Sequence, residues 1–265
     1  MQYLTPQYFG KNGNLANLCI AFTDPSSQKP FMALGVDMLP DLHLVGAAAG
    51  TELLPRYRYA DGHRLDNITD WALDQFRGHY GNNGITRDDI FAYVYGVLHD
   101  PVYREKYSLN LKREFPRIPF YAEFKRWRDW GQDLLDLHVG YESVEAFGLE
   151  RIDIPDERAR AAGVSPRVIL KADPDNGIIV LDSETQLSAA PTSAWDYRLG
   201  NRSAIDWVLD QHREKTPKDP TIREKFNTYR FIDHKEQVIN LLQRVITVSV
   251  RTQEITERMR ASLHG

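Results

Sequence analysis

DIFAYVYGVLHDPVYREKYSLNLKREFPRIPFY, residues 89–121, is the stretch that organises the chain. Thr86 and Asp89, just ahead of it, have the spacing of a capping box, in which a hydroxyl caps the helix and a carboxylate reaches back. Ile90, Val94, Val97 and Leu98 recur at helical spacing and predict a core-facing stripe. Asp100-Pro101 ends that helix and starts another, with Asp100 as cap and Pro101 at the first helical position. The second helix is expected to run on through Arg104 toward Arg117, carrying Arg104, Lys106, Lys112, Arg113 and Arg117 against Glu105 and Glu114, with Tyr103, Tyr107 and Phe115 interleaved. On such a helix Arg104 and Lys112 share nearly one face, and Lys106 and Arg113 a neighbouring one. Pro116 and Pro119 then hold the exit extended.

Working outward, eight Lys and Arg fall between Tyr103 and Arg128 against three Glu, a local balance of +5 in a chain whose net charge is −4. Bulk charge therefore does not point to nucleic acid, but this patch suits an anionic partner. The plainer reading is a solvated face in which Glu105 and Glu114 pair with neighbouring cations. At 265 residues, 42% hydrophobic and 26% charged, the chain has the composition of a globular protein with a substantial core. Cys19 is the only cysteine, so no internal disulfide forms, which fits a reducing, cytoplasmic compartment. No signal peptide or apolar run of spanning length is present, so no membrane role is expected.

The expected fold is α+β: short antiparallel strands and a hairpin packed with two helical groups. Residues 1–66 read as a β-rich part, with apolar runs at Leu18–Phe22, Lys29–Val36 and Leu53–Tyr59. Residues 67–150 read as helical. Asn67 and Asp70 open a helix with Ile68, Trp71, Leu73 and Phe76 on its stripe, and a further helix runs from about Tyr121 to His138. Residues 151–200 read as a charged connector followed by a hairpin, Val168–Lys171 with Ile178–Leu181, turning at Asn176-Gly177. Residues 201–265 read as helical, with starts at Ser203, Asp219-Pro220 and Asp233. Trp127, Trp130, Trp195 and Trp207 are expected in the core, and His43 and His99 in local hydrogen bonds.

Four segments carry a family resemblance. Ile90 to Tyr107 reads I-F-x-Y-V-Y-x-V-L-H-x-P-x-Y-R-x-x-Y and Asn110 to Pro119 reads N-L-K-R-E-F-P-R-I-P. Trp195 to Ser203 and Asn227 to Phe231 give further matches. Together they resemble the C-terminal specificity domain of Type I single-polypeptide (Type ISP) restriction–modification enzymes, over about residues 15 to 255. The resemblance implies a target-recognition domain for double-stranded DNA, sitting beside methyltransferase and helicase-like domains. Asn110 lies within the second segment. Arg104, Lys106, Lys112, Arg113 and Arg117 are the expected main contacts to DNA, and Arg202, Lys225, Asn227, Tyr229 and Arg230 a second set near helix ends. Asn227 and Tyr229 read equally well as fixing a turn. The resemblance also implies a Tyr-Arg-Pro-Phe element upstream of this chain, so partners of the first sheet are expected to be missing.

Catalytic motifs are absent: no phosphate loop, no Gly-x-Ser-x-Gly, no His-Glu-x-x-His and no Asn-Pro-Pro-Tyr. Glu123-Phe-Lys125 has a nuclease-like Glu-x-Lys form but falls in a helical, Trp-rich segment. The resemblance thus implies a non-catalytic module without cofactors, with S-adenosylmethionine, ATP and Mg used by other domains. The alternative is a scaffold module that docks to those domains while DNA is read elsewhere.

Overall fold

The structure, a computed structural model, describes residues 5–25, 27, 29–41, 44, 50–215, 217–226 and 229–262. His43 and Asn227 lie outside the described residues. The chain forms two compact units, one of residues 1–141, 199–201 and 254–265, the other of residues 142–198 and 202–253. The class is α+β, as the apolar patterning predicts. Among the described residues no helix is long and apolar enough to cross a membrane.

In the first unit, after a short helix α1 (Thr5–Phe9), strand β1 (Cys19–Thr23) lies between β2 (Ala33–Val36) and β3 (Thr51–Pro55), all antiparallel. Strand β1 is buried on both faces, which explains its unbroken apolar run. Ile20 and Phe22 join the main helical core, while Cys19 and Ala21 join Phe9 and Leu53 on the other side. The expected run Leu53–Tyr59 breaks at Arg56, which is buried and ion-paired to Asp66 and Asp88. A separate hairpin follows, β4 (Tyr57–Ala60) and β5 (His63–Asp66).

Three long helices make the core. They are α2 (Asp70–Tyr80), α3 (Arg87–His99) and, after the short α4 (Pro101–Lys106), α5 (Phe124–Val139). The capping box on α3 is present, Thr86 accepting from the Asp89 N–H and Asp89 from the Thr86 N–H. Thr69, not Asn67, caps α2, and Asn67 instead donates to the Pro55 carbonyl. Trp71 is 72% exposed rather than buried, because the inward stripe of α2 is Leu73, Phe76 and Tyr80. Helices α3 and α5 touch backbone to backbone: a Cβ on Gly96 would sit 2.6 Å from the Trp127 carbonyl oxygen, and one on Gly131 would collide with that of Ala92.

The expected helix to Arg117 is not formed. Helix α4 ends at Lys106, and single turns follow, Leu111 N–H to Tyr107 O at 2.9 Å and Glu114 N–H to Asn110 O at 3.0 Å. Ser108 and Asn110 are poor helix formers, and buried Leu111 pins the turn inward. The shared faces expected of Arg104, Lys112, Lys106 and Arg113 therefore do not exist.

The second unit is built on an antiparallel sheet ordered β6 (Glu150–Asp153), β9 (Thr185–Ser188), β8 (Ile178–Asp182), β7 (Val168–Asp173). The hairpin β7–β8 is the predicted one. The expected connector instead holds an exposed, charged edge strand, β6, and helix α6 (Glu157–Ala162). Leu170, Ile179, Leu181 and Leu187 of the sheet are buried, as are Ile205 and Leu209 of α7 (Ala204–Gln211). Helix α8 (Pro220–Phe226) starts at Asp219, and α9 (Lys235–Arg260) begins in this unit and ends in the first. Buried Asp182 pairs with Lys235 at 2.8 Å.

Candidate nucleic-acid interface

The basic stretch is held by a frame of tyrosines on the helices beneath it. Two prolines leave the Arg117–Tyr121 backbone without a ladder partner, so its carbonyls must be satisfied otherwise. The Tyr103 hydroxyl donates to the Arg117 carbonyl at 3.0 Å, Tyr93 to that of Pro119 at 2.7 Å and Tyr80 to that of Tyr121 at 2.8 Å. The Tyr121 N–H donates back to the Tyr93 oxygen at 2.7 Å, and the Tyr121 hydroxyl to buried Asp100 at 2.8 Å. Asp100 also caps α4 through the Val102 N–H at 2.9 Å. Burial pushes the Tyr93 and Tyr121 hydroxyls well above the usual phenol range and that of Tyr103 up to about 12, so all stay neutral donors.

A second polar set lies under the sheet. Tyr95 accepts from the Gly35 N–H at 2.7 Å and shares a hydrogen bond with His138 Nδ1 at 2.6 Å. His99 Nδ1 donates to the Tyr95 carbonyl at 2.9 Å. Burial, then the charge of Arg104, lowers the pKa of both imidazoles, His138 to about 3.

Against this frame the expected contact residues divide. Arg104 turns inward: its Nε donates to the Leu98 carbonyl at 2.5 Å and its guanidinium lies 5.7 Å from the Phe31 ring. Lys106, Lys112 and Arg113 are exposed and, among the described residues, have no carboxylate partner. Arg117 is exposed and pairs with Glu114 at 2.7 Å, while Asn110 donates to the same carboxylate at 3.3 Å. The other local cations are taken up: Lys125 pairs with Asp129, Arg126 with Glu123, and Arg128 with Asp89. A pocket of about 330 Å³ under the loop is lined by Tyr103, Tyr107, Leu111, Phe115 and Ile118. Phe115, 57% exposed, touches Phe22 edge-on.

The second set sits in the other unit. Arg202 pairs with Asp210 at 2.9 Å and lies over the Trp207 ring. Lys225 is exposed on α8, without an ion pair among the described residues. Tyr229 is half-buried, hydrogen-bonded to His212 at 2.9 Å and stacked on His234, the geometry of a turn anchor. Arg230 is exposed and lines an open groove of about 670 Å³ with Arg167 and Arg213. The acid there, Glu214, is engaged by the Phe231 N–H at 2.9 Å. Leu170, at φ 49° in a bulge of β7, offers its carbonyl to Arg213.

A profile described as the Type ISP C-terminal specificity domain matches residues 1–241. The chain belongs to that family. It is similar to a chain of a DrdV–DNA complex solved by cryo-electron microscopy, at 51% identity and TM-score 0.92 over 99% of this chain. It also resembles, at 31% identity and TM-score 0.70 over 96% of this chain, a nuclease-deletion mutant of the Type ISP restriction–modification enzyme LlaGI in complex with a DNA substrate mimic. LlaBIII, an ATP-dependent Type ISP enzyme bound to DNA, matches at 26% identity and TM-score 0.76 over 98% of this chain. The chain spans 26%, 22% and 17% of those three chains. No curated protein sequence matches.

Seen in this Type ISP domain, the residues that carry the family resemblance are mostly frame. Tyr93, Tyr95, His99, Tyr103 and Arg104 all point inward. Sequence reasoning missed Arg167 and Arg213, which no motif marks. It also missed the β4–β5 hairpin, although Asp61-Gly62 between alternating residues is a hairpin signal.

Proposed function

We propose that this chain recognises duplex DNA as the target-recognition part of a Type ISP restriction–modification enzyme. The observation that carries this is the trio Lys106, Lys112 and Arg113, exposed and without carboxylate partners among the described residues, at the end of α4 and on the turns after it, just ahead of the Arg117–Tyr121 backbone that buried tyrosines hold. Fixed, unneutralised cations suit phosphate oxygens, which set register on the duplex, while base edges supply specificity. The complexes of DrdV, LlaGI and LlaBIII with DNA or its mimic support the same partner. In the second unit Arg230, with Arg167, is the better phosphate candidate, and Arg202 and Arg213 the weaker, since Asp210 pairs with both.

Methylation, ATP hydrolysis and cleavage, with S-adenosylmethionine, ATP and Mg, belong on this reading to other domains of a longer cytoplasmic polypeptide. Helicase-like and methyltransferase domains are its covalent neighbours. The purified chain is expected to transfer no methyl group to DNA. The exposed Trp71 favours a second reading, a docking module whose anchors are apolar. Binding of random-sequence duplex from about 50 to about 200 mM salt separates the two. Phosphate neutralisation makes log affinity fall by about 0.9 per contact per log unit of salt. Binding that hardly responds to salt favours docking.

A further inference from the structure

Among the described residues the hairpin of β4 and β5 pairs only with itself, Tyr57 opposite Asp66, Arg58 opposite Leu65, Tyr59 opposite Arg64 and Ala60 opposite His63. Its tip, Asp61-Gly62, has φ of 51° and 79°, the backbone of a tight two-residue turn. Alternation puts Tyr57, Tyr59, Arg64 and Asp66 on one face. That face is tied down. The guanidinium groups of Arg56 and Arg64 lie 4.4 and 4.3 Å from the Tyr57 ring centroid, Asp66 pairs with Arg56, and the Tyr59 hydroxyl donates to the Ala16 carbonyl at 2.6 Å. Asn17 brackets the root, donating to the Tyr57 carbonyl at 2.9 Å and accepting its N–H at 3.1 Å.

The other face carries Arg58, Ala60, His63 and Leu65, all exposed, Leu65 by 44%. The charge of Arg58 reaches Tyr8, but among the described residues neither the Arg58 nor the His63 side chain has a hydrogen bond or ion pair.

We propose that this hairpin enters the major groove of duplex DNA and reads base edges with Arg58, Asp61, His63 and Leu65. The inference rests on the DNA reading above and names the specificity element within it. A two-stranded ribbon fits the groove, which is about 12 Å wide. The exposed chemistry suits base edges better than phosphates: a guanidinium for guanine, a carboxylate for the cytosine amino group, an aliphatic group for the thymine methyl. An unpaired aspartate at the tip is out of place against phosphate. Its root is tied to the first turn of α3 through Arg56 and Asp88, and α4 starts where α3 ends. At 1.5 Å per residue α3 is about 20 Å long, so the hairpin and the basic loop can meet one duplex within a turn of about 34 Å.

The test is selection from a random-sequence duplex pool by the full chain and by Arg58→Lys, His63→Ala and Leu65→Ala. The wild type is expected to enrich one sequence. Each variant is expected to lose preference at one position, by roughly 5- to 150-fold, with random-duplex affinity, salt slope and melting temperature unchanged. Arg58→Lys keeps the charge and removes only the fork geometry. An enriched sequence that is the same in all three variants overturns the hairpin reading alone. Equal loss on selected and random duplex also overturns it, making the hairpin a backbone contact. A wild-type chain that binds no duplex overturns the DNA reading and this inference together.

Discussion

The stretch from Ile90 to Arg104 and the stretch from Lys106 to Arg117 are continuous in sequence and opposite in use. In the first, aromatic and charged side chains alike are spent inside: Tyr93 and Tyr103 on loop carbonyls, Tyr95 on Gly35 and His138, Arg104 on Leu98. In the second, Lys106, Lys112 and Arg113 meet no carboxylate among the described residues, and Lys106 lies only over the ring of its neighbour Tyr107. Arg104 and Arg113 are therefore the same residue type with different consequences. One is a half-buried, inward-turned charge whose loss disturbs packing, the other a surface charge whose loss disturbs only a partner.

The largest expected effect comes from the frame. Gly131→Ala places a Cβ against the Ala92 carbonyl oxygen where α3 and α5 meet backbone to backbone. Alanine favours helix over glycine by about 1 kcal/mol, but overpacking typically costs about 1–3 kcal/mol, and a Cβ driven into a backbone carbonyl belongs at the upper end. A lower urea midpoint is therefore expected despite the better helix former. A variant as stable as the parent would show that the two helices can separate freely, and the rigid-frame side of the comparison would fall.

The next effect is pH. His99 and His138 are buried neutral, with folded pKa values below the ordinary 6.5, His138 at about 3. Tyr95, Arg104 and each other are the groups that act on them. A depressed imidazole pKa means the unfolded chain takes up protons first. Stability is thus full above pH 6.5 and falls as pH drops from 6.5 toward 3. Each such histidine contributes about 1.4 kcal/mol per pH unit well below 6.5, so the pair costs about 2–3 kcal/mol between pH 7.5 and 5.5. Melting in a pH series checks this, and His138→Gln should flatten the dependence. Lys112 and Arg113 play no part in it.

Tyr93→Phe is expected to cost less, about 1–3 kcal/mol, because it leaves the Pro119 carbonyl and the Tyr121 N–H without the Tyr93 hydroxyl. Its sharper readout is faster hydrogen exchange at the Tyr121 amide. Unchanged exchange would mean that the prolines alone fix the loop.

These contrasts also mark what the sequence could tell. Periodicity and caps revealed α3, α5, the β7–β8 hairpin and the start of α7, because burying one face forces a regular apolar pattern. The overrun of α4 came from reading charge as helix surface: Arg and Lys are good helix formers, and nothing local announced that Leu111 would be drawn inward. Strand β6 escaped because an exposed edge strand needs no apolar residues. Trp71 stands exposed because its angle to Leu73 and Phe76 puts it on the other side of α2. Within the candidate site the cations were legible as a cluster. Which of them faces inward was not, since Arg104 is engaged by Leu98 and Phe31 through tertiary contacts.

The smallest effect on stability, and the one that decides the comparison, belongs to Lys112→Ala with Arg113→Ala. Both are exposed, and neither has a carboxylate partner among the described residues, so the double variant should unfold within about 0.5 kcal/mol of the parent. Its DNA binding should nonetheless change. If both cations touch phosphate, the slope of log affinity against log salt falls by about two, and selected and random duplexes weaken alike. Arg104→Ala is the internal control from the other side of Lys106. It removes the Leu98 hydrogen bond and the contact over Phe31, so it should lower the melting temperature clearly while leaving the salt slope of the protein that remains folded unchanged. A reversal of the two results, with Arg104 moving the slope and the Lys112, Arg113 pair moving the melting temperature, would assign the frame and the contact the wrong way round.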